Sequence, residues 1–272
     1  MQSYIFTYHK TGTVLFERIL QRLATATQKS FAIRYGRFDQ PDPAIDITLF
    51  AHSLIRFDPF RYDMRAIRVV RDPRDIWVSG FLYHRRCEEG WCVNTDFSEA
   101  WPIGYPRVDF SVIHKRERWK RDYLRSLAGK SYQQNLLDRD TASGLAFELA
   151  NYTGQTLDAM IAWEHQGPAL LQLKMEDFVT DFDGTLRRAY RHLGLEGPAC
   201  EALIAQCAAD DVARMSDTVI TANHHIHSRK LSKWRDFLTA EQVQTFEDRY
   251  GGLITGLGYQ RSGAISDAAA AA

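Results

Sequence analysis

Lys10-Thr11-Gly12-Thr13 stands between a short β-rich run, residues 3–8, and a segment in which Val14, Leu15, Phe16, Ile19, Leu20 and Leu23 recur at helical spacing. A glycine-containing loop between strand and helix aims backbone N–H groups at one point. The helix N-terminus adds partial positive charge and Lys10 adds a full one, so the segment reads as an anion cradle. It is not a Walker A loop, because Gly129-Lys130-Ser131 is the only Gly-Lys-Ser and Leu124 stands where that motif needs its first glycine. An ordinary βα turn could carry the same four residues. A second group is Arg71-Asp72-Pro73-Arg74-Asp75, with Ser79 eight residues after Arg71. Arg71 closes an apolar run, and open α/β sheets bind ligands at the carboxyl ends of their strands. A guanidinium there suits bidentate contact with phosphate, and Ser79 sits about two turns into the following helix. The alternative is an Arg–Asp salt-bridge cluster that caps that helix.

These groups need a scaffold to hold them. Residues 47–51 and 66–70 are further short β-like runs and 169–173 is a fourth. Asp72 and Pro73 mark a helix start, and that helix runs to about Arg86. Helical patterns cover about 114–127 and 142–165, and another begins near 183 and stops at Gly194. Thr239 and Gln242 have capping-box spacing ahead of Val243, Phe246, Tyr250 and Leu253. Residues 87–112, rich in Gly, Pro, Trp and Asp, read as an irregular insert. Short strands alternating with helices predict an α/β fold, a central mostly parallel sheet flanked by helices. No repeat or linker divides it, so the expectation is one domain over 1–262 with a disordered tail at 263–272.

Composition narrows the functional classes. The 272 residues are 45% hydrophobic and 25% charged with formal net charge zero, which gives no bulk pull toward nucleic acid or membrane surface. No apolar run reaches the roughly 18–20 residues of a membrane span, and Gln2–Phe6 reads as a strand, not a secretory leader. Cys87, Cys92, Cys200 and Cys207 are too few for a disulfide framework in a chain this long. The expectation is a soluble cytoplasmic protein. His224, His225 and His227 crowd one segment but lack an acidic or cysteine partner at metal-site spacing, so no metal is assigned. Lys115, Arg116, Arg118, Lys120 and Arg121 form a basic run that reads as a solvated helix face or as a groove wall for an anionic glycan.

The two groups together resemble the PAPS-dependent sulfotransferase family (PAPS is 3′-phosphoadenosine 5′-phosphosulfate). Lys10 to Thr13 is similar to its Lys-Ser/Thr-Gly-Thr signature and Arg71 to Ser79 to its Arg-x-Pro-Arg-Asp-x-x-x-Ser signature. Met175-Glu176-Asp177-Phe178, with Asp183 to Leu186, looks like its Tyr-Glu-Asp-Leu element. Lys233 to Thr239 looks like its late Trp-Arg-x-x-Leu-Thr stretch. The matches run in order from residue 5 to residue 259. The resemblance implies a P-loop-like fold that binds PAPS and releases PAP, the desulfated product, with no metal required. It implies that Lys10, Thr11, Gly12, Thr13 and Val14 hold the 5′-phosphosulfate and that Arg71 and Ser79 hold the 3′-phosphate. Arg229 and Lys230 are candidates for the same phosphate, although counting back from Trp234 puts His227 and Ser228 at the family's spacing. The sequence departs from the family at His9, often Pro, and at Leu15, often a Trp stacked on adenine.

Sulfuryl transfer resembles phosphoryl transfer: in-line displacement, a departing phosphate oxygen to stabilise and an acceptor proton to remove. Lys10 is assigned the oxygen. The base is assigned to His52, which follows the 47–51 run in Ala51-His52-Ser53-Leu54, where many members carry Thr-His-Leu-Pro; His9 is the second candidate. The acceptor is expected to be a hydroxyl on a glycan, glycolipid or small alcohol. Its contacts are expected from 87–140, with Trp91, Trp101, Tyr105 and Trp119 as stacking surfaces. Two rival readings are a P-loop-type kinase or NTPase and a catalytically inactive PAP- or glycan-binding protein. Nothing in the sequence sets the oligomeric state.

Overall fold

A computed structural model describes residues 1–95, 125–223 and 225–263. They fall into two compact units, one formed by Met1–Arg71 with Ala159–Ile220 and the other by Asp72–Asp158 with Thr221–Ala272.

The first unit is built on five parallel strands: β1 (Gln2–Phe6), β2 (Phe31–Phe38), β3 (Ile47–Ile55), β4 (Met64–Val70) and β5 (Leu170–Lys174), in spatial order β2-β3-β1-β4-β5. The inner strands are buried on both faces, which is why they read as near-continuous apolar runs. Helix α1 (Thr13–Thr27) puts Phe16, Ile19, Leu20 and Leu23 on one face of the sheet. The helices Phe182–His192 and Gly197–Gln206 complete that layer with Leu186, Ala189, Tyr190, Leu203, Cys200 and Cys207. Cys200 and Cys207 therefore pack as small buried groups. Tyr4, Phe6, Phe50 and Phe57 form an aromatic cluster on the opposite face, with Phe6 stacked on Phe50 at 5.3 Å. β2 is absent from the four runs read from sequence. It is an edge strand whose described side chains are half-buried or, at Tyr35, exposed, and Arg34, Gly36 and Arg37 interrupt its apolar pattern in the sequence.

In the second unit, helix α2 (Pro73–His84) starts as predicted, with the Asp72 side chain accepting from the Arg74 amide. Trp77 fixes it: the indole stacks on Phe246 of helix Ala240–Gly256 at 5.1 Å and its Nε1 donates to the Leu145 carbonyl at 2.8 Å. The predicted capping box at Thr239 and Gln242 is present. The pattern over 142–165 is a helix from Thr141 to Ile161, loosened into a π-helical turn at Leu149–Thr153. Within the predicted insert, Gly90–Val93 forms a short helix. Trp101, Tyr105, Trp119, the basic run 115–121, His224 and the tail from 264 on lie outside the described residues.

Candidate active site

In the first unit, the loop from Thr7 to Gly12 turns the chain from β1 into α1. Lys10 and Gly12 both have left-handed backbone, with φ of +60° and +92°. Glycine is favoured at the second because an L side chain is strained at that φ, and a Cβ there would also lie 2.7 Å from Met175 Sδ. Thr11 locks the turn: its hydroxyl accepts from the Tyr8 amide at 2.7 Å and donates to the Tyr8 carbonyl at 3.0 Å. Thr7 and Thr13 hydroxyls meet at 2.9 Å across the loop mouth. Gly12 caps α1 without a side chain, so the first-turn amides of Thr13, Val14 and Leu15 have no intrahelical partner. A 15-residue helix presents them together with its partial positive charge. Arg71, just past the end of β4, donates from Nη1 to the Lys10 carbonyl at 3.1 Å. The structure thus brings Lys10 and Arg71 together through a direct bond.

His52 occupies an irregularity in β3. Tyr35 pairs with Ala51, but Arg37 pairs with Leu54, so β3 carries one extra residue at His52–Ser53. Such a bulge re-aims the side chains of its strand, and His52 adopts φ of +54° to form it. Ser53 holds the bulge: its amide and hydroxyl donate to the Thr7 carbonyl at 2.9 and 3.0 Å, and the hydroxyl also reaches Phe50 O at 2.7 Å. The His52 ring lies edge-on to His9 at 5.5 Å and to Tyr35 at 5.9 Å. His9 is 5% exposed. The two histidines considered for the base are therefore neighbours on the same loop pair.

In the second unit, Ser79 is buried on α2 and its hydroxyl has no hydrogen-bond partner among the described residues. A buried hydroxyl without a partner is costly, so Ser79 has hydrogen-bonding capacity for a ligand or a water. The loop carrying Arg229 and Lys230 is tied to the same helix system. The Trp234 amide donates to Asp75 Oδ1 at 3.0 Å, and the Arg74 guanidinium covers the Trp234 ring at 4.1 Å. Arg86 donates to the Ile226 carbonyl at 2.8 Å. Partial burial first, and then the charges of Lys233 and Arg86, push the His227 imidazole pKa down. Arg229 is half-buried there, whereas the exposed Lys230 ammonium is engaged by Asp236 at 2.7 Å. Arg74 serves structure: Nε and Nη2 hold Asp72 at 3.0 and 2.7 Å, Nη1 holds Glu247 at 2.7 Å, and Nη2 reaches the Gln260 carbonyl at 2.9 Å. The salt-bridge cluster and the candidate ligands thus share one motif, divided residue by residue.

Two features were missed in the sequence. Met175, which limits the space at Gly12, follows β5 directly, and only the fold makes them neighbours. His84 and Glu148 form a buried network: Glu148 accepts from Tyr132 and Thr153 hydroxyls, each at 2.8 Å, and lies 2.9 Å from His84 Nδ1. Trp91 of the predicted insert packs on it, stacked on Tyr152 at 5.1 Å. Among the described residues, no group of three or more His, Cys, Asp or Glu is arranged to hold a metal ion, and no helix is long and apolar enough to cross a membrane.

Comparison with known proteins gives one family match, the sulfotransferase domain, over residues 38–258. The Lys10–Val14 loop precedes that span. No curated protein sequence matches. Among solved structures, the chain is similar to mouse sulfotransferase SULT7A1 complexed with PAP, at 14% identity and TM-score 0.48, covering 93% of this chain and 84% of that one. It is also similar to retinol dehydratase in complex with androsterone and inactive cofactor PAP, at 15% identity and TM-score 0.47, covering 96% and 83%.

Proposed function

The chain belongs to the sulfotransferase domain family, and from that premise we propose that it moves a sulfuryl group from PAPS to a hydroxyl acceptor through the residues described above. PAPS supplies, when bound, a sulfuryl group joined to phosphate through one bridging oxygen. The amides of Lys10, Gly12, Thr13 and Val14, with the Thr13 hydroxyl, bind the phosphosulfate oxygens, where the bare α1 N-terminus favours negative charge, while the Thr11 amide donates to the Tyr8 carbonyl at 3.2 Å and holds the turn. Arg71 and Ser79 bind the 3′-phosphate, with Arg229 as a further contact. His52 takes the acceptor proton, so that the acceptor oxygen forms the new S–O bond as the bridging S–O bond breaks. The electron pair of the broken bond stays on the phosphate oxygen, and Lys10 holds a positive charge against it. A preorganised donor of this kind is worth about 2.7–4 kcal/mol of barrier.

The observation that carries the reading is the bond from Arg71 to the Lys10 carbonyl, which ties the strand end to a loop otherwise of uncertain cargo. The test is thermal stabilisation by PAP against ADP and ATP, in the wild type and in Arg71→Ala. Stabilisation is expected to be specific to PAP and lost in the variant. Equal stabilisation by ATP would favour the kinase or NTPase reading. Mass spectrometry for transfer from PAPS to a panel of alcohols and glycans separates an active enzyme from a PAP-binding protein without turnover.

A further inference from the structure

We propose that Arg68, on β4, is a specificity-determining residue that seats an oxyanion, a carboxylate or sulfate carried by the acceptor. The proposal rests on the sulfotransferase reading and on the assignment of His52 as base. Arg68 is 6% exposed, yet its partners are all neutral. Its Nε donates to the Tyr8 hydroxyl at 3.3 Å and its Nη2 to the Met160 carbonyl at 3.0 Å. The Tyr8 and Trp163 rings flank the guanidinium at 5.5 and 4.9 Å. No carboxylate among the described residues forms an ion pair with it. Burial raises the Tyr8 phenol above its ordinary pKa against the opposing pull of Arg68, so Tyr8 is a neutral partner and not a counter-ion.

A buried arginine is as a rule paired, because an uncompensated buried charge is costly. The two neutral contacts use one N–H of Nε and one of Nη2. The other N–H groups, both on Nη1 among them, have no acceptor among the described residues. Fully buried side-chain atoms without a partner include the Ser79 hydroxyl but not Arg68 Nη1, so the unbonded Nη1 still reaches the surface. Carboxylate and sulfate are the groups that accept two such N–H bonds at once. Tyr8 sets where that anion would sit. Its side chain holds Arg68, and Thr11 clamps its backbone amide and carbonyl. The next residue, His9, has its ring 5.5 Å from that of His52. A free anion would also neutralise Arg68, but the closeness of the candidate base favours an acid group on the same molecule as the reacting hydroxyl.

The experiment measures transfer from PAPS to matched acceptors that differ in the acid group: the methyl glycosides of glucuronic acid and glucose, and hydroxyhexanoate with hexanol. Wild type, Arg68→Gln and Arg68→Lys are compared, each with its thermal shift by PAP. Wild type should favour the acidic member of at least one pair in kcat/KM, on the order of tenfold or more, chiefly through KM. Arg68→Gln should abolish that ratio and Arg68→Lys should keep part of it. The ratio is read within each protein, so a general loss of activity cancels. Acetate, the probe for a free anion, should raise KM for the acidic member and leave that of its neutral partner unchanged in wild type. Equal use of both members by wild type, a ratio that survives Arg68→Gln, acetate inhibition of both members alike, or stabilisation by PAP with transfer to no acceptor overturns the proposal. The wild-type measurements stand by themselves if Arg68→Gln does not fold. Failure of PAP to stabilise the wild type would instead overturn the sulfotransferase site itself, so the two failures are distinct.

Discussion

Gly12→Ala tests the loop without removing any functional group. Two costs follow from the structure. At φ +92° an L-residue is strained by about 1–2 kcal/mol. The added Cβ would also lie 2.7 Å from Met175 Sδ, where ordinary contacts begin near 3.4 Å. Met175 is flexible and half-buried, so it can yield, but overpacking of this kind costs about 1–3 kcal/mol. Together these predict a loss of roughly 2–5 kcal/mol, or a fall in Tm on the order of 5–15 °C for a chain of this size. The backbone shift that relieves the clash also turns the first α1 amides away from their common focus, so stabilisation by PAP should be lost with it. A double-mutant cycle with Met175→Ala separates the costs: the steric part should appear as a favourable coupling of about 1–2 kcal/mol, while the φ strain stays. Calorimetry with and without PAP gives both readings. A Gly12→Ala protein with wild-type Tm and an intact PAP shift would refute the argument, and strictly additive losses would refute its steric half.

Arg74→Ala should destabilise the second unit in urea toward the low end of about 3–5 kcal/mol, because Asp72 and Glu247 lose the buried guanidinium they share while Arg261 stays 3.5 Å from Glu247; a loss under 1 kcal/mol would show that the cluster is dispensable. His52→Ala should lower kcat by roughly 10²–10⁴ while PAP still stabilises the protein; normal turnover in the variant rules His52 out as the base. Burial alone would raise the Glu247 pKa, but the Ser262 amide at 3.0 Å and the Arg74 guanidinium outweigh it and hold the carboxyl below its ordinary value. A depressed pKa stabilises the fold above the unfolded value of about 4.3, and that contribution is lost as pH falls through the lower native value. Glu247→Gln should therefore flatten the acid limb of Tm measured from about pH 6 down to pH 3, and an unchanged slope would count against the linkage.

The inner strands were legible because burial on both faces makes them apolar throughout, and helix starts were legible because caps are local: Asp72, Thr239 and Gln242 need only their neighbours in sequence. β2 was not, since an edge strand has one side to satisfy and Arg34 and Gly36 are tolerated there. The letters of Arg71-Asp72-Pro73-Arg74-Asp75 do not show how its two arginines divide, Arg71 onto the Lys10 loop and Arg74 into a buried carboxylate cluster. That division depends on Glu247 and Gln260, which stand far along the chain and take up Arg74.

What makes Lys10 and His52 more than residue types is equally invisible in the letters. Each is a non-glycine residue at positive φ, at +60° and +54°, and each conformation costs about 1–2 kcal/mol against an extended or helical alternative. Thr11 clamps the first locally through Tyr8, and Ser53 clamps the second through Phe50 and, across the sheet, through Thr7. Both clamps close on the stretch that follows β1, so the same few backbone atoms set the aim of the cation and of the candidate base. Strain that is held in place by dedicated hydrogen bonds, at two side chains a displacement reaction would need, is the pattern expected of a site that keeps its geometry before a ligand arrives.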